Sequence, residues 1–212
     1  MATFRLIIKL QAGPFSQLLL NAHSRLWTRL APLFVAWALL YGVTLCGGTA
    51  AQADNQPGEY EVKAAFLYNF AKFVEWPAGA FASQDSPFSI AVVGDDPFGP
   101  ALDKVVAGKA IDGHRITLKR FRRAADIQTC HVLFVSQSEK GNWARIHSAL
   151  GTSSTLTVSD IHPFVQRGGM IQFILEARKV RFDICDDAGA RAHLKMSSKL
   201  LQLARNVTCG GR

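Results

Sequence analysis

The chain has 212 residues, of which 49% are hydrophobic and 19% are charged. This is enough for one compact domain with a substantial core and too few to expect two. The formal net charge of +8 falls to +4 beyond residue 53, because the first 53 residues hold four of the cations and no acid. A charge of +4 without a dense basic block excludes nucleic acid as the expected partner.

Residues 1–53 have the pattern of a secretory signal peptide. A basic segment without acids precedes the apolar run 30–45, and Ala-Gln-Ala at 51–53 has the form of a cleavage site. We therefore expect cleavage after that triplet, a single exported domain over residues 54–212, and no stable membrane insertion afterwards. The alternatives are an uncleaved anchor, which requires about 20 apolar residues, and a lipoprotein attached through Cys46, which follows a large residue.

The first half of the predicted domain alternates helices with strands. Apolar residues at helical spacing predict a helix over 59–76, which Pro77 ends. The apolar run 88–94 is rich in β-branched residues and predicts a strand buried on both faces. Asp96, followed by a proline, predicts the N-cap of a helix over 97–107.

The second half continues this alternation and ends in a hairpin and a helix. The predicted elements are strands over 114–121, 131–136 and 155–159, and a helix over 139–150 stopped by Gly151. Alternation over 170–184 predicts a β-hairpin with its turn near 177–179, and helical spacing predicts a long helix over 187–207. The expected fold is α/β, a mostly parallel sheet with helices on both faces, a β-hairpin near the C-terminal end and a long C-terminal helix.

Three cysteines remain beyond the signal peptide. Cys130 begins one predicted core strand and Cys185 ends another, so this pair is the candidate disulfide in an oxidising compartment. Cys209 near the C-terminus is the candidate for a link between two chains. Neither the cysteines nor the histidines have a metal-binding spacing, so we expect no metal and no other cofactor.

The motifs of catalysis are missing from the sequence. It has no GxSxG nucleophile elbow and no GxGxxG phosphate loop. Asp95 and Asp96 follow a predicted strand as an acid pair, but no lysine at a later strand end completes a phosphoacceptor site, so a helix cap is the favoured interpretation. We therefore predict a binding protein and not an enzyme.

Three groups of residues are candidates for binding a partner or a ligand. One ends the aromatic first helix, one lies at the carboxyl ends of the strands, where α/β sheets bind ligands, and one is the basic face of the last helix. For each group a purely structural role, in the core, in a turn or on a solvated face, is the alternative. The candidates are Glu75, Trp76, Asp95, Asp96, Phe98, Arg167, Arg191, Lys195 and Lys199.

Seven segments, in this order, resemble the YfiR-like periplasmic proteins: KAAFLYNFAKFVEWP, FSIAVVGDDPFGPALD, CHVLFVS, LTVSD, RGGMIQF, VRFDI and LKMSSKLLQLAR. The resemblance covers about residues 59–207. It implies a non-enzymatic repressor that binds the periplasmic sensor region of an inner-membrane diguanylate cyclase of the YfiN type and lowers cyclic-di-GMP output. It also implies a homodimer, and release of the cyclase when an outer-membrane lipoprotein sequesters the repressor. Since members of the family also act beside other sensor proteins, another membrane sensor is the alternative partner.

Two functions from different classes therefore remain. A protein-binding repressor predicts an exposed apolar or aromatic patch. A periplasmic small-molecule sensor predicts a closed pocket near Asp95, Phe98 and Arg167, with polar groups converging on it.

Overall fold

The structure is a computed structural model in which residues 58–208 are described. The expected signal peptide and Cys209 lie outside this range. The helices are α1 (Glu59–Lys72), α2 (Pro100–Val106), α3 (Trp143–Leu150), α4 (Asp186–Arg191) and α5 (Ser198–Leu203). The strands are β1 (Val74–Glu75), β2 (Phe88–Val93), β3 (Ala110–Ile111), β4 (His114–Phe121), β5 (Val132–Val135), β6 (Leu156–Ser159), β7 (Ile171–Glu176), β8 (Lys179–Cys185), β9 (Lys195–Met196) and β10 (Asn206–Thr208).

The expected α/β fold is confirmed. The described residues form an eight-stranded sheet of order β10-β8-β7-β6-β5-β2-β4-β3 and a small antiparallel pair, β1-β9. Strands β4, β2, β5, β6 and β7 run parallel, whereas β3 and β8 are antiparallel to their inner neighbours. Every residue of β2, β5 and β6 is buried, as the apolar runs of β2 and β5 predict for strands covered on both faces.

The core consists of two clusters, one on each face of the sheet. Alternate residues of β2 belong to different clusters, with Ile90 on one face and Ala91 on the other. Helices α1, α2, α4 and α5 contribute to the larger cluster with Ile90, and α3 covers the smaller cluster through Trp143 and Ile146. Helices therefore cover both faces, as expected.

The predicted end of the first helix and the predicted start of the second are wrong. Helix α1 ends at Lys72 instead of near Trp76, because the next residues form β1 and pair with β9. Helix α2 begins at Pro100, three residues after the predicted start, with Gly99 at the N-cap position. Asp96 is not the cap, because its carboxylate accepts the backbone N–H of Phe98 at 2.8 Å in a local turn.

The predicted long C-terminal helix is wrong, because this segment forms α4, β9, α5 and β10. His193, with φ of +58°, ends the helical path after α4. The hydroxyl of Ser197 then accepts the backbone N–H of Leu200 at 3.3 Å and caps a new helix. Pairing of β9 with β1 and of β10 with β8 provides hydrogen-bond partners for backbone N–H and C=O groups between and after the two short helices.

The hairpin and the end of the preceding helix agree with the sequence. Strands β7 and β8 pair from Ile171↔Ile184 to Glu176↔Lys179, and the two turn residues, Ala177 and Arg178, both have positive φ, as a two-residue hairpin turn requires. Helix α3 begins at Trp143 instead of residue 139, after a 3-10 turn at Gln137–Glu139, and ends at Gly151 as predicted.

The candidate disulfide is not formed. Cys130 and Cys185 are both free and buried. Cys130 belongs to the core cluster under α3, whereas Cys185 belongs to the cluster under α1, so the sheet separates the two thiols. Burial raises the pKa of Cys130 to about 12, which leaves it as an unreactive thiol.

Helices that could cross a membrane are not found within residues 58–208, because none there is both long and apolar enough.

Candidate functional site

The two aspartates that follow β2 lie in a charged cleft at the carboxyl edge of the sheet. Arg120 of β4 donates from Nε to Asp96 Oδ2 and from Nη2 to Asp103 Oδ2, each at 2.7 Å. The hydrogen bond from Arg120 lowers the pKa of Asp103. The cleft has a volume of about 560 Å³, and Arg122 and the exposed Asp95 also line it. Asp96 is therefore engaged with an arginine, whereas the Asp95 carboxylate is open to solvent.

Phe98 and Arg167 do not converge on these aspartates. The Phe98 side chain is only 4% exposed and packs its ring against Tyr60 and Phe134 in the cluster under α1. Arg167 is exposed, and its carbonyl accepts the indole N–H of Trp143 at 2.9 Å beside α3. The polar groups of the predicted ligand pocket are thus divided between different parts of the fold.

Trp76 and Glu75 lie next to each other but in different environments. The Trp76 indole N–H donates to the carbonyl of Ala71 at 3.2 Å, and its ring packs edge-on against Phe88 with centroids 5.1 Å apart. Glu75 is exposed and forms an ion pair with Lys195 at 2.9 Å. The Trp76 side chain is thus half-buried and packs against the first residue of β2. On the surface, the ion pair of Glu75 and Lys195 links β1 to β9.

The basic residues of the last segment do not share a helix face. Arg191 ends α4, Lys195 lies in β9 and Lys199 lies in α5, so three separate elements present them. All three are exposed. The helical spacing that grouped them in the sequence has no counterpart in the structure.

Sequence reasoning missed a buried ion cluster at the carboxyl end of β6. Lys63 of α1 donates to Asp160 Oδ2 at 2.7 Å and also pairs with Glu59. The Tyr60 hydroxyl donates to the same Asp160 oxygen at 2.8 Å, and burial, followed by this bond, raises the pKa of Tyr60. One feature of the sequence could have indicated this cluster. Lys63 lies on the apolar stripe of α1, four residues before the buried Leu67, where a lysine is expected to be buried with it.

The structure also reveals an exposed apolar groove between α1 and the β7–β8 hairpin, which we call the hairpin groove. Its volume is about 480 Å³. Its lining is apolar at the floor and charged at the rim, and consists of Glu59, Val62, Phe66, Leu175, Arg178, Lys179 and Val180. Leu175 is 54% exposed and adds to the apolar surface of Val62, Phe66 and Val180 in the same groove. The sequence shows the alternating hairpin but not that its leucine, Leu175, faces solvent.

The side chains of the described residues do not form a metal site. Within residues 58–208 no group of three or more His, Cys, Asp or Glu side chains is placed to hold a metal ion.

Comparison with known proteins adds one finding. No curated protein matches the chain. The family model described as YfiR/HmsC-like matches residues 60–205, more than two thirds of the chain. The match begins at the second residue of α1 and ends just before β10, so it takes in nearly the whole described fold.

The YfiR-like family is known for periplasmic regulators that act through a partner sensor protein, and not for enzymes. Apart from Glu59, the residues of the hairpin groove and of the Lys63–Asp160 cluster lie within the matched range. The chain belongs to the YfiR/HmsC-like family.

Proposed function

We propose that the chain binds and represses the periplasmic sensor region of an inner-membrane signalling enzyme, a diguanylate cyclase, and so lowers cyclic-di-GMP output. The observation that carries this proposal is the hairpin groove, together with membership of the family. Its floor, formed by Phe66 and Val180 and edged by the exposed Leu175, offers the apolar centre that protein interfaces use.

The charges at the groove indicate the kind of partner surface that it fits. Arg178 and Lys179 stand at the hairpin tip and have no acidic partner among residues 58–208. Glu59, the acid in the lining, is paired with Lys63. The rim is therefore net basic, and a sensor surface with an apolar side chain surrounded by acidic residues would complement it.

The mechanism is a shift of population. A regulator that binds the inactive state of the sensor more tightly than the active state moves the equilibrium toward the inactive state. We further propose that the regulator is exported by its cleaved signal peptide and acts as a homodimer. An outer-membrane lipoprotein that competes for it would release the cyclase. Glu75, Lys195 and Lys199 are secondary candidates for contact with the partner, because they are exposed.

The test is recovery of the partner together with its output. The full chain, carrying an affinity tag, is purified from its own cells under native conditions with solubilised inner membrane, and bound proteins are identified by mass spectrometry. We expect to recover a membrane cyclase that has a periplasmic domain. We also expect cellular cyclic-di-GMP to rise when the chain is deleted.

The hairpin groove is tested with a matched pair of variants. Leu175→Asp places a charge in the groove, and we expect recovery of the cyclase to fall at least about tenfold. Leu203→Asp is the control, because Leu203 is 62% exposed on α5 and does not line the groove. Equal recovery with Leu175→Asp and the wild type, or unchanged cyclic-di-GMP on deletion, would contradict the proposal.

A small-molecule sensor is the second candidate, favoured by the charged cleft at the carboxyl edge. This cleft presents the open carboxylate of Asp95 and the exposed guanidinium of Arg122, two opposite charges suited to a zwitterion such as an amino acid, while Arg120 is already engaged by Asp96 and Asp103. A thermal-shift screen with free amino acids tests it. A rise in Tm that Asp95→Asn abolishes would support the sensor, and no rise at millimolar concentration would remove it.

A further inference from the structure

Four aromatic rings form a continuous stack at the amino ends of β2, β4 and β5. Phe81 stacks on His114 at 3.8 Å between centroids and on His131 at 4.6 Å, and His131 stacks in turn on Phe88 at 4.6 Å. Trp76 packs edge-on against His131. Phe81 belongs to residues 77–87, the β1–β2 loop, whereas His114 and His131 belong to the sheet side. The stack therefore joins this loop to the sheet.

The hydrogen bonds of His131 define its protonation state. The backbone N–H of Ser89 donates to His131 Nδ1 at 3.0 Å, so Nδ1 must carry a lone pair and no proton. His131 Nε2 lies 3.1 Å from the carbonyl oxygen of Ala80, which can only accept, so Nε2 carries the proton. The ring that holds the loop is thus the neutral Nε2–H tautomer.

His114 holds the other end of the loop, also through a ring N–H. Its Nδ1 lies 2.6 Å from the carbonyl oxygen of Ser86, so Nδ1–H donates. Both loop bonds use a proton that the ring has in either charge state, so protonation breaks neither of them directly. The contact that protonation reverses is the one between the Ser89 N–H and His131 Nδ1. Among the hydrogen bonds of residues 58–208, those that join the loop to the sheet are the two donated by His114 and His131. The loop tip, residues 82–85, is exposed.

The surroundings of His131 oppose a positive charge on its ring. His114 and Lys119 of β4 are the ionisable groups whose charges act on it, and both are cationic when protonated. The loop, β2 and the segment after β1 face the ring with a carbonyl, a hydroxyl and aromatic rings, which do not titrate near neutral pH. No carboxylate contacts either ring nitrogen. The neighbouring Cys130 has its pKa raised by burial and stays neutral.

We propose that the β1–β2 loop is a pH-controlled cover, closed while His131 is neutral. Protonation of Nδ1 sets its new N–H against the Ser89 N–H and places a charge in a site shielded from water, so the ring leaves its position and the Phe81 ring stacked on it is released. Release withdraws Phe81 from the stack and uncovers Phe88, His131 and Trp76, an aromatic surface of the kind that binds proteins. The regulator would then present this surface in acid and hide it at neutral pH.

The direction of the pH dependence follows from linkage. Burial lowers the pKa of His131 in the closed state, whereas the open state regains an ordinary value of about 6.5. The open state therefore binds the proton more readily, so closure is fully favoured above about pH 6.5 and weakens as the pH falls below it. One proton per opening limits the change to about tenfold in the opening equilibrium per pH unit.

Hydrogen exchange on the full chain tests the cover directly. Amide exchange of peptides covering residues 77–87 is measured by mass spectrometry at pH 7.5 and 5.5, with each rate divided by its intrinsic rate at that pH. We expect less protection at pH 5.5, by up to about tenfold. Unchanged protection between the two pH values would overturn the proposal.

Three variants separate His131 from other histidines. His131→Gln cannot become charged, and we expect loop protection to lose its pH dependence. His114→Gln weakens the attachment at both pH values but keeps the pH dependence, and His147→Gln, at an exposed site on α3, changes neither. The same pH dependence in His131→Gln as in the wild type would overturn the proposal.

A second measurement covers the case in which His131→Gln fails to fold. The histidine ring signals of the wild-type protein are followed by NMR as the pH is lowered. We expect the His131 titration and the loss of loop protection to share one midpoint below pH 6.5. Loop opening with a midpoint that differs from that of His131 would refute the inference.

Discussion

The buried pair formed by Lys63 and Asp160 offers the sharpest test of how α1 is held on the sheet. The Lys63 side chain is 3% exposed and that of Asp160 is 9% exposed, with 2.7 Å between Nζ and Oδ2. Lys63→Met removes the cation and leaves the Asp160 carboxylate buried with only the Tyr60 hydroxyl as donor. Breaking a buried pair from one side costs about 3–5 kcal/mol, since an uncompensated charge remains.

Removing the other partner has a smaller expected effect. Asp160→Leu leaves Lys63 with Glu59, whose side chain is partly solvent-exposed and can still compensate the charge. We therefore expect this variant to lose about 1–3 kcal/mol of unfolding free energy. The double variant Lys63→Met/Asp160→Leu replaces two charges with apolar groups and should lose less than the sum of the single variants, with a coupling energy of about 2 kcal/mol or more.

Equilibrium unfolding in urea at 25 °C measures these free energies, with circular dichroism and the fluorescence of the buried Trp143 as probes. Lys63→Ala serves as a second form of the perturbation, because it adds no new apolar contacts. A loss below about 1 kcal/mol in Lys63→Met, or additive losses in the double variant, would show that the cluster is solvated in solution. Burial of an unpaired charge would then not explain the contribution of Lys63 to stability.

Two further predictions concern the core beneath α3. Burial raises the pKa of Cys130 to about 12. We therefore expect iodoacetamide at pH 8 to leave this thiol unmodified in the native protein and to label it in urea, with peptide mapping as the measurement. Rapid labelling of the native protein would contradict this prediction. A Cβ at Gly169 would overlap the ring of the fully buried Phe164, so Gly169→Ala should lose about 1–3 kcal/mol. Gly79→Ala, which meets nothing within 4 Å, is the control for the Tm measurement, and an equal Tm in both variants would refute the overlap.

Elements with strong local signals can be predicted from the amino-acid pattern. The apolar runs of β2 and β5 predict strands buried on both faces, because such strands need no polar face. Gly151 ends α3 with φ of +56°, a conformation that glycine adopts without strain. The hairpin also follows from alternation within one short segment. Each of these features depends on residues close together in the chain, so periodicity and turn chemistry are sufficient to predict it.

Only the tertiary structure decided the C-terminal segment. Its helical spacing between residues 187 and 207 is real, but β9 and β10 form because partner strands are available at Val74↔Met196 and Val207↔Ile184. Strand pairing between distant segments outweighs helix propensity, which amounts to less than about 1 kcal/mol per residue. A pattern within one segment carries no information about such partners.

The candidate sites show the same division. Asp96 reads as a helix cap, yet Arg120, 24 residues away, engages its carboxylate. The Lys63–Asp160 pair spans 97 residues, and the stack of His131 on Phe81 joins the loop after β1 to the strand β5 side of the sheet. These contacts arise from how the sheet orders its strands, because only the fold brings such distant side chains within hydrogen-bonding or stacking distance. Local patterns in the sequence predict the elements whose signals are local, whereas the fold decides the C-terminal elements and which distant side chains meet.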